Sequence, residues 1–165
     1  MVGVGRVAGM KQVLLMIAVV ALVGCGEKEG RPATKEESAK VIEAAIRKEL
    51  KKPTGKLTKA DLEKVMKLNL TDKKLTDVKG LENLTQLKVL NLQFNQLTDV
   101  KGLEKLTQLK MLSFILNKLT DVTGLENLTN LTVLDIRYNP DLTKAQIDAL
   151  KKALPKCDIR SNPKK

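Results

Sequence analysis

The sequence has no histidine and no tryptophan, and only three aromatic side chains: Phe94, Phe114 and Tyr138. Without histidine, the commonest general base and a principal zinc ligand are missing. The three serines, Ser38, Ser113 and Ser161, have no base at a motif spacing, and no glycine-rich phosphate loop occurs. The chain is therefore not expected to be an enzyme, and no cofactor is expected. With so few rings, any core must be aliphatic. Basic residues are not interleaved with aromatics that could stack bases, so nucleic acid is not an expected partner.

What the chain has in plenty is leucine and lysine. Lys and Arg number 30 against 19 Asp and Glu, a formal net charge of +11 over 165 residues, enough for one ordinary domain. The basic residues are scattered rather than gathered in a dense block. That suits a solubilising surface better than a basic site.

The N-terminus reads as an export signal. Arg6 and Lys11 precede the apolar run VLLMIAVVALVG at 13–24, which is too short to span a bilayer comfortably. The run ends in Leu22-Val23-Gly24-Cys25. This resembles the lipobox of bacterial lipoproteins, and the resemblance implies removal of residues 1–24 and lipidation of Cys25. The competing reading is a short uncleaved anchor with a chance cysteine. Residues 25–34 are polar, with Gly and Pro, and look like a tether. Gly26 after the cysteine resembles the outer-membrane choice of two-membrane bacteria. The expected location is thus exported and lipid-anchored to a bacterial membrane, the outer one where two exist. The mature net charge becomes +11 − 2 = +9.

Three phrases repeat in register. LTDVKGLENLTQLKVLNLQFNQ starts at Leu75, LTDVKGLEKLTQLKMLSFILNK at Leu97 and LTDVTGLENLTNLTVLDIRYNP at Leu119, 22 residues apart each time. Leu84, Leu87, Leu90, Leu92 and Asn95 carry the pattern L-x-x-L-x-x-L-x-L-x-x-N in the first copy. Alternation at Leu90 and Leu92 predicts a short strand with both leucines inward. One coil cannot bury that face alone, whereas stacked copies share one core. The pattern resembles the leucine-rich repeat family in its short, internalin-like class, over residues 57–160. The resemblance implies an α/β right-handed solenoid of about five short parallel strands with helical caps at both ends.

Several details extend this reading. Asn95, Asn117 and Asn139 are expected to bond the backbone of their own and the next coil. The Thr-Asp pairs at 76–77, 98–99 and 120–121 suit the start of a tight turn, and Gly80, Gly102 and Gly124 suit its bend. A degenerate coil places Val65, Leu68 and Leu70 at strand positions, with Lys73 where Asn is expected. Capping boxes are legible at Thr34–Glu37, Thr58–Asp61 and Thr143–Gln146. Val41, Ile42, Ala45, Ile46 and Leu50 make one helical stripe that should close the N-terminal end. The expected domain spans 35–160, with caps at 35–66 and 142–160 and a tail at 161–165. The phrase LTKA at 57–60 and 142–145 suggests that Cys157 and Ile159 align with Leu68 and Leu70.

The expected partner surface is the concave sheet face, which the family commonly uses. Its candidates are Asn91, Gln93 and Phe94, then Ser113, Ile115 and Leu116, then Asp135, Arg137 and Tyr138. Phe94, Leu116 and Tyr138 should stack as a ridge, rimmed by polar groups. In the odd phrase SFILN at 113–117, the register sends Phe114 inward and Ile115 and Leu116 outward. The function expected is non-catalytic binding of a protein, peptide or envelope ligand by a monomeric lipoprotein. Two alternatives stand beside it: a structural envelope lipoprotein without a discrete partner site, and a calcium-binding protein using the column Asp77, Asp99 and Asp121. Caps are the commoner use of such aspartates, because metal loops usually place several oxygen ligands close in sequence. Cys157, on an inward position without an intrachain partner, reads as a buried, inert thiol.

Overall fold

Leu68, Leu90, Leu112, Leu134 and Ile159 stand in one column across a five-stranded parallel sheet. The computed structural model describes residues 31–162. The expected export signal, Cys25 and the end of the tail lie outside the described residues. The strands are β1 (Lys67–Asn69), β2 (Val89–Asn91), β3 (Met111–Ser113), β4 (Val133–Asp135) and β5 (Asp158–Arg160), paired in chain order. Each contributes one fully inward side chain. A second inward column follows it, formed by Leu70, Leu92, Phe114 and Ile136, all buried. Thus Phe114 is core, and it is the largest fully buried side chain. Every core side chain lies in the compact unit 31–165.

The coils are joined by hydrogen bonds that repeat with the sequence. Asn95 Nδ2 donates to the carbonyls of Leu92 at 3.0 Å and Leu70 at 2.8 Å, while its Oδ1 accepts from Leu75 N at 3.0 Å. Asn117 and Asn139 repeat the arrangement 22 and 44 residues on. Each asparagine therefore serves its own coil and the preceding one, not the next. The reason is that the bonded carbonyl and amide lie 25 and 20 residues back in the chain.

On the opposite side of each coil, the aspartates cap their own turns. Asp77, Asp99 and Asp121 accept from the amides of Lys79, Lys101 and Thr123 at 2.6, 3.1 and 2.8 Å. Hydrogen bonds from Thr123 hold the Asp121 carboxyl below the usual range. Gly80, Gly102 and Gly124 follow with φ near +100°, a region that disfavours any residue with a Cβ. Their amides donate to Glu82, Glu104 and Glu126 at 2.5, 2.6 and 2.7 Å, a staple that the sequence reading did not anticipate.

Helix α1 (Lys35–Glu49) starts at a capping box, in which Thr34 Oγ1 accepts from Glu37 N and Glu37 accepts from Thr34 N at 2.7 Å. It buries Ile42 and Ile46 against the first coil, with Val41, Ala45 and Leu50 half-buried beside them. Ser38, also buried, accepts from Thr76 N at 3.2 Å. Upstream of the helix, Ala33 is bound to the first coil through Lys74 O and Thr76 Oγ1, so the end of the expected tether is fixed to the domain. A short α2 (Lys59–Leu62) leads into β1.

At the other end, α3 (Lys144–Ala153) starts at the Thr143–Gln146 box and buries Leu150. The expected alignment of the last strand is corrected here. Ile159 pairs with Leu134 and so occupies the Leu68 column, while Cys157 lies two residues before it. The cause is helix length: α3 has 10 residues where α2 has 4, so the strand begins later than a match on LTKA implies. The ladder then closes on a side chain. Asn162 Oδ1 accepts from Tyr138 N, the role that Gln93, Ile115 and Arg137 carbonyls play for Asp72, Phe94 and Leu116.

Candidate functional site

Phe94, Leu116 and Tyr138 stand one per coil at the end of the concave face, and they are 50%, 44% and 59% exposed. Their backbones explain why. All three have left-handed φ, at 57°, 56° and 60°, in the turn between strand and asparagine. Left-handed geometry costs about 1–2 kcal/mol for a residue with a Cβ. Here it turns each large side chain away from the core while the next residue, Asn, goes in. Asp72 takes the same conformation in the degenerate first coil, at 54°. Nothing in the side chains themselves announces this backbone.

The strand positions beside the ridge are more shielded. Asn91, Gln93, Ser113, Ile115 and Arg137 are all half-buried. Asn91 Oδ1 accepts from Gln93 N at 3.1 Å, as Asn69 does from Thr71 N at 3.0 Å. Both side chains therefore serve local turns. In β3 the corresponding residue is Ser113, whose buried Oγ has no partner.

The expected partner residue Asp135 sits on the same column but is only 6% exposed. Arg137 lies across it, with Nε 2.9 Å from Oδ1 and a terminal nitrogen 2.7 Å from Oδ2. Burial alone raises the Asp135 pKa. Hydrogen bonds from the Arg137 side chain and amide, with the charges of Arg137 and Arg160, more than offset it and hold the carboxyl below its usual range. The same bonds raise the Arg137 pKa further. Asp135 thus positions Arg137, and Arg137 is the group that faces solvent.

Beyond the ridge, the structure adds a groove absent from the sequence reading. Leu116 and Tyr138 form one wall, and Leu142 and Ile147 of the α3 region form the other, enclosing about 670 Å³. Lys144, Asp148 and Lys151 line its helical side, and Pro140, Ser161 and Asn162 complete it. No sequence pattern joins Leu116 and Tyr138 to Ile147, because the repeat register and the C-terminal helix are read separately. Phe94, Gln93 and Asn91 do not reach this groove.

Metal chemistry has no assembled site among the described residues, where no group of three or more Asp, Glu or Cys converges. Cys157 is half-buried and free, and burial raises its thiol pKa. Among the described residues no helix is long and apolar enough to cross a membrane.

Comparison with known proteins agrees with this geometry. Residues 67–105 match the family model for leucine-rich repeats (two copies). Internalin C2 from Listeria monocytogenes is similar in structure, with a TM-score of 0.66 and 24% identity, over 72% of this chain and 52% of that one. An internalin (inlF) from the same species gives a TM-score of 0.60 and 26% identity, over 84% of this chain and 48% of that one. This chain thus spans about half the length of each. No curated protein sequence matches. The 22-residue register, the five-stranded parallel sheet and these likenesses together show a leucine-rich repeat solenoid, similar in fold to the internalins.

Proposed function

We propose that the protein is a cell-envelope lipoprotein whose repeat domain binds a protein, peptide or envelope ligand through its concave face. The observation that carries this reading is the ridge. Three large apolar or aromatic side chains are exposed in register, at a backbone conformation that is costly for them. The same turn carries Asp72 in the first coil, so a solenoid that needed only to be soluble could hold polar residues there. Arg137, fixed over Asp135, supplies a pre-oriented cation beside it. The anchor rests on the sequence alone: the apolar run ending in Leu22-Val23-Gly24-Cys25 and the polar stretch after it.

Crosslinking capture from the native envelope with residues 31–165 tests the binding reading. A specific partner should be captured by the natural domain and lost when Phe94, Leu116 and Tyr138 are all changed to Ser. Unchanged capture, or none, would favour a structural lipoprotein without a discrete partner site. Metabolic labelling with a palmitate analogue tests the anchor separately. Label should be lost on Cys25→Ala, and label that persists would sink the lipoprotein reading.

A further inference from the structure

The groove between the ridge and α3 combines an apolar interior with an edge that carries two lysines and one aspartate. Its floor and walls come from Leu116, Tyr138, Leu142 and Ile147, and its volume of about 670 Å³ suits one or two large side chains of a ligand. On the α3 side, Lys144 pairs with Asp148, and Lys151 makes no ion pair among the described residues. The wall is pre-formed, because Asn162 holds the Tyr138 amide and also donates to Asn139 O at 3.4 Å.

Charge distinguishes this end from the central coils. Residues 142–165 hold seven basic against two acidic residues, a net of +5. The central coils, residues 75–141, hold seven basic against eight acidic, a net of −1. Residues 31–74 hold 13 basic against seven acidic residues, a net of +6, so both ends are more positive than the middle. A negatively charged ligand is steered away from the middle coils, and the C-terminal end is the one that sets a groove beside the ridge.

We propose that the groove is the seat of an acidic peptide segment, with an apolar side chain of the partner filling it and flanking carboxylates meeting the lysines of α3. This deepens the concave-face reading and rests on it. A folded groove with room for one or two side chains fits a peptide better than the flat headgroup layer of a membrane, which has nothing to insert there.

The test is selection of a displayed library of random peptides on residues 31–165. Synthetic versions of the selected peptides are then titrated against single variants, each checked for its thermal melt. Selected peptides should pair Asp or Glu with a neighbouring large apolar residue. Their affinity should fall about tenfold on Lys151→Glu or Leu116→Ser, survive Phe94→Ser, and weaken as salt rises. Absence of enrichment, or selection of peptides without acidic residues, overturns the proposal. Peptides weakened by Phe94→Ser and indifferent to Lys151→Glu overturn the groove while leaving the concave face as the binding surface. Peptides indifferent to both variants overturn both readings. Phosphatidylglycerol vesicles are the competing probe. Vesicle binding that outcompetes the peptides, falls with Lys151→Glu and ignores Leu116→Ser assigns the lysines to an anionic surface and also overturns the proposal.

Discussion

Asn117 reaches one coil back and donates from Nδ2 to the carbonyl of Leu92 at 2.9 Å. The same amide serves Phe114 O, and Oδ1 accepts from Leu97 N, so three backbone groups depend on one buried side chain. Removing it leaves those groups without partners and without water. Asn117→Ala should therefore destabilise the domain by about 3 kcal/mol. Urea denaturation of residues 31–165 measures this directly. A loss below about 1 kcal/mol would mean that the ladder is redundant.

The ridge should trade stability against exposure. Leu116 has φ of 56°, which glycine adopts freely. Leu116→Gly should leave the midpoint of thermal unfolding unchanged or raise it, by up to about 1 kcal/mol in stability. The same change should abolish partner capture. A clear loss of stability would assign Leu116 a packing role instead.

Phe114 is fully buried in a column otherwise made of Leu70, Leu92 and Ile136. Its ring has more volume than its neighbours in the column, so truncation should be costly. Phe114→Ala is expected to cost about 3–5 kcal/mol and Phe114→Leu about 1 kcal/mol. Equal effects of the two, compared by chemical denaturation, would show that the coil collapses around the void.

Acid should weaken the N-terminal cap first. Glu37 has its pKa lowered to about 2, chiefly by the hydrogen bond from the Thr34 amide and then by Arg31. Asp61 is lowered too, chiefly by Lys52 and then by the Thr58 amide. A depressed carboxyl contributes stability that is present above its unfolded pKa and is lost as pH falls through the folded one. The cap should thus lose stability from about pH 4.5 down to about pH 2. Amide exchange in α1 followed across this range checks the direction. Glu37→Gln should flatten the α1 response, and an unaltered slope would remove Glu37 from the account.

Cys157 should be slow to alkylate. Burial raises its pKa, so little thiolate is present near neutrality. Iodoacetamide should label it readily only in denaturant. Fast labelling of the native domain would mean that the last strand opens.

The architecture was legible because the signal is repeated: three phrases in register specify inward columns, turns and the asparagine ladder together. The caps were legible for a local reason, since a capping box needs only two residues three apart. What escaped depends on length or on backbone. The register of β5 depends on how many turns α3 makes, which the shared LTKA phrase does not reveal. The left-handed turns at Phe94, Leu116 and Tyr138 belong to the turn after each strand and not to those side chains, since Asp72 takes the same conformation before Lys73. The burial of Asp135 escaped because alternation tells which face a residue joins, not whether Arg137 folds over it. The groove joins two elements that the pattern treats separately.

The stacking of the coils also sets a scale for whatever touches the ridge. Adjacent parallel strands lie about 4.8 Å apart, so Phe94 and Tyr138, two coils apart, are spaced near 10 Å at their backbones. Alternate side chains of an extended peptide recur at about 6.8 Å, which falls out of step with the coils. Residues i and i+7 of a helix, on one face and about 10.5 Å apart, come back into step at the outer pair. The ridge therefore acts as a vernier: it selects a ligand by the period of its apolar side chains as well as by their chemistry.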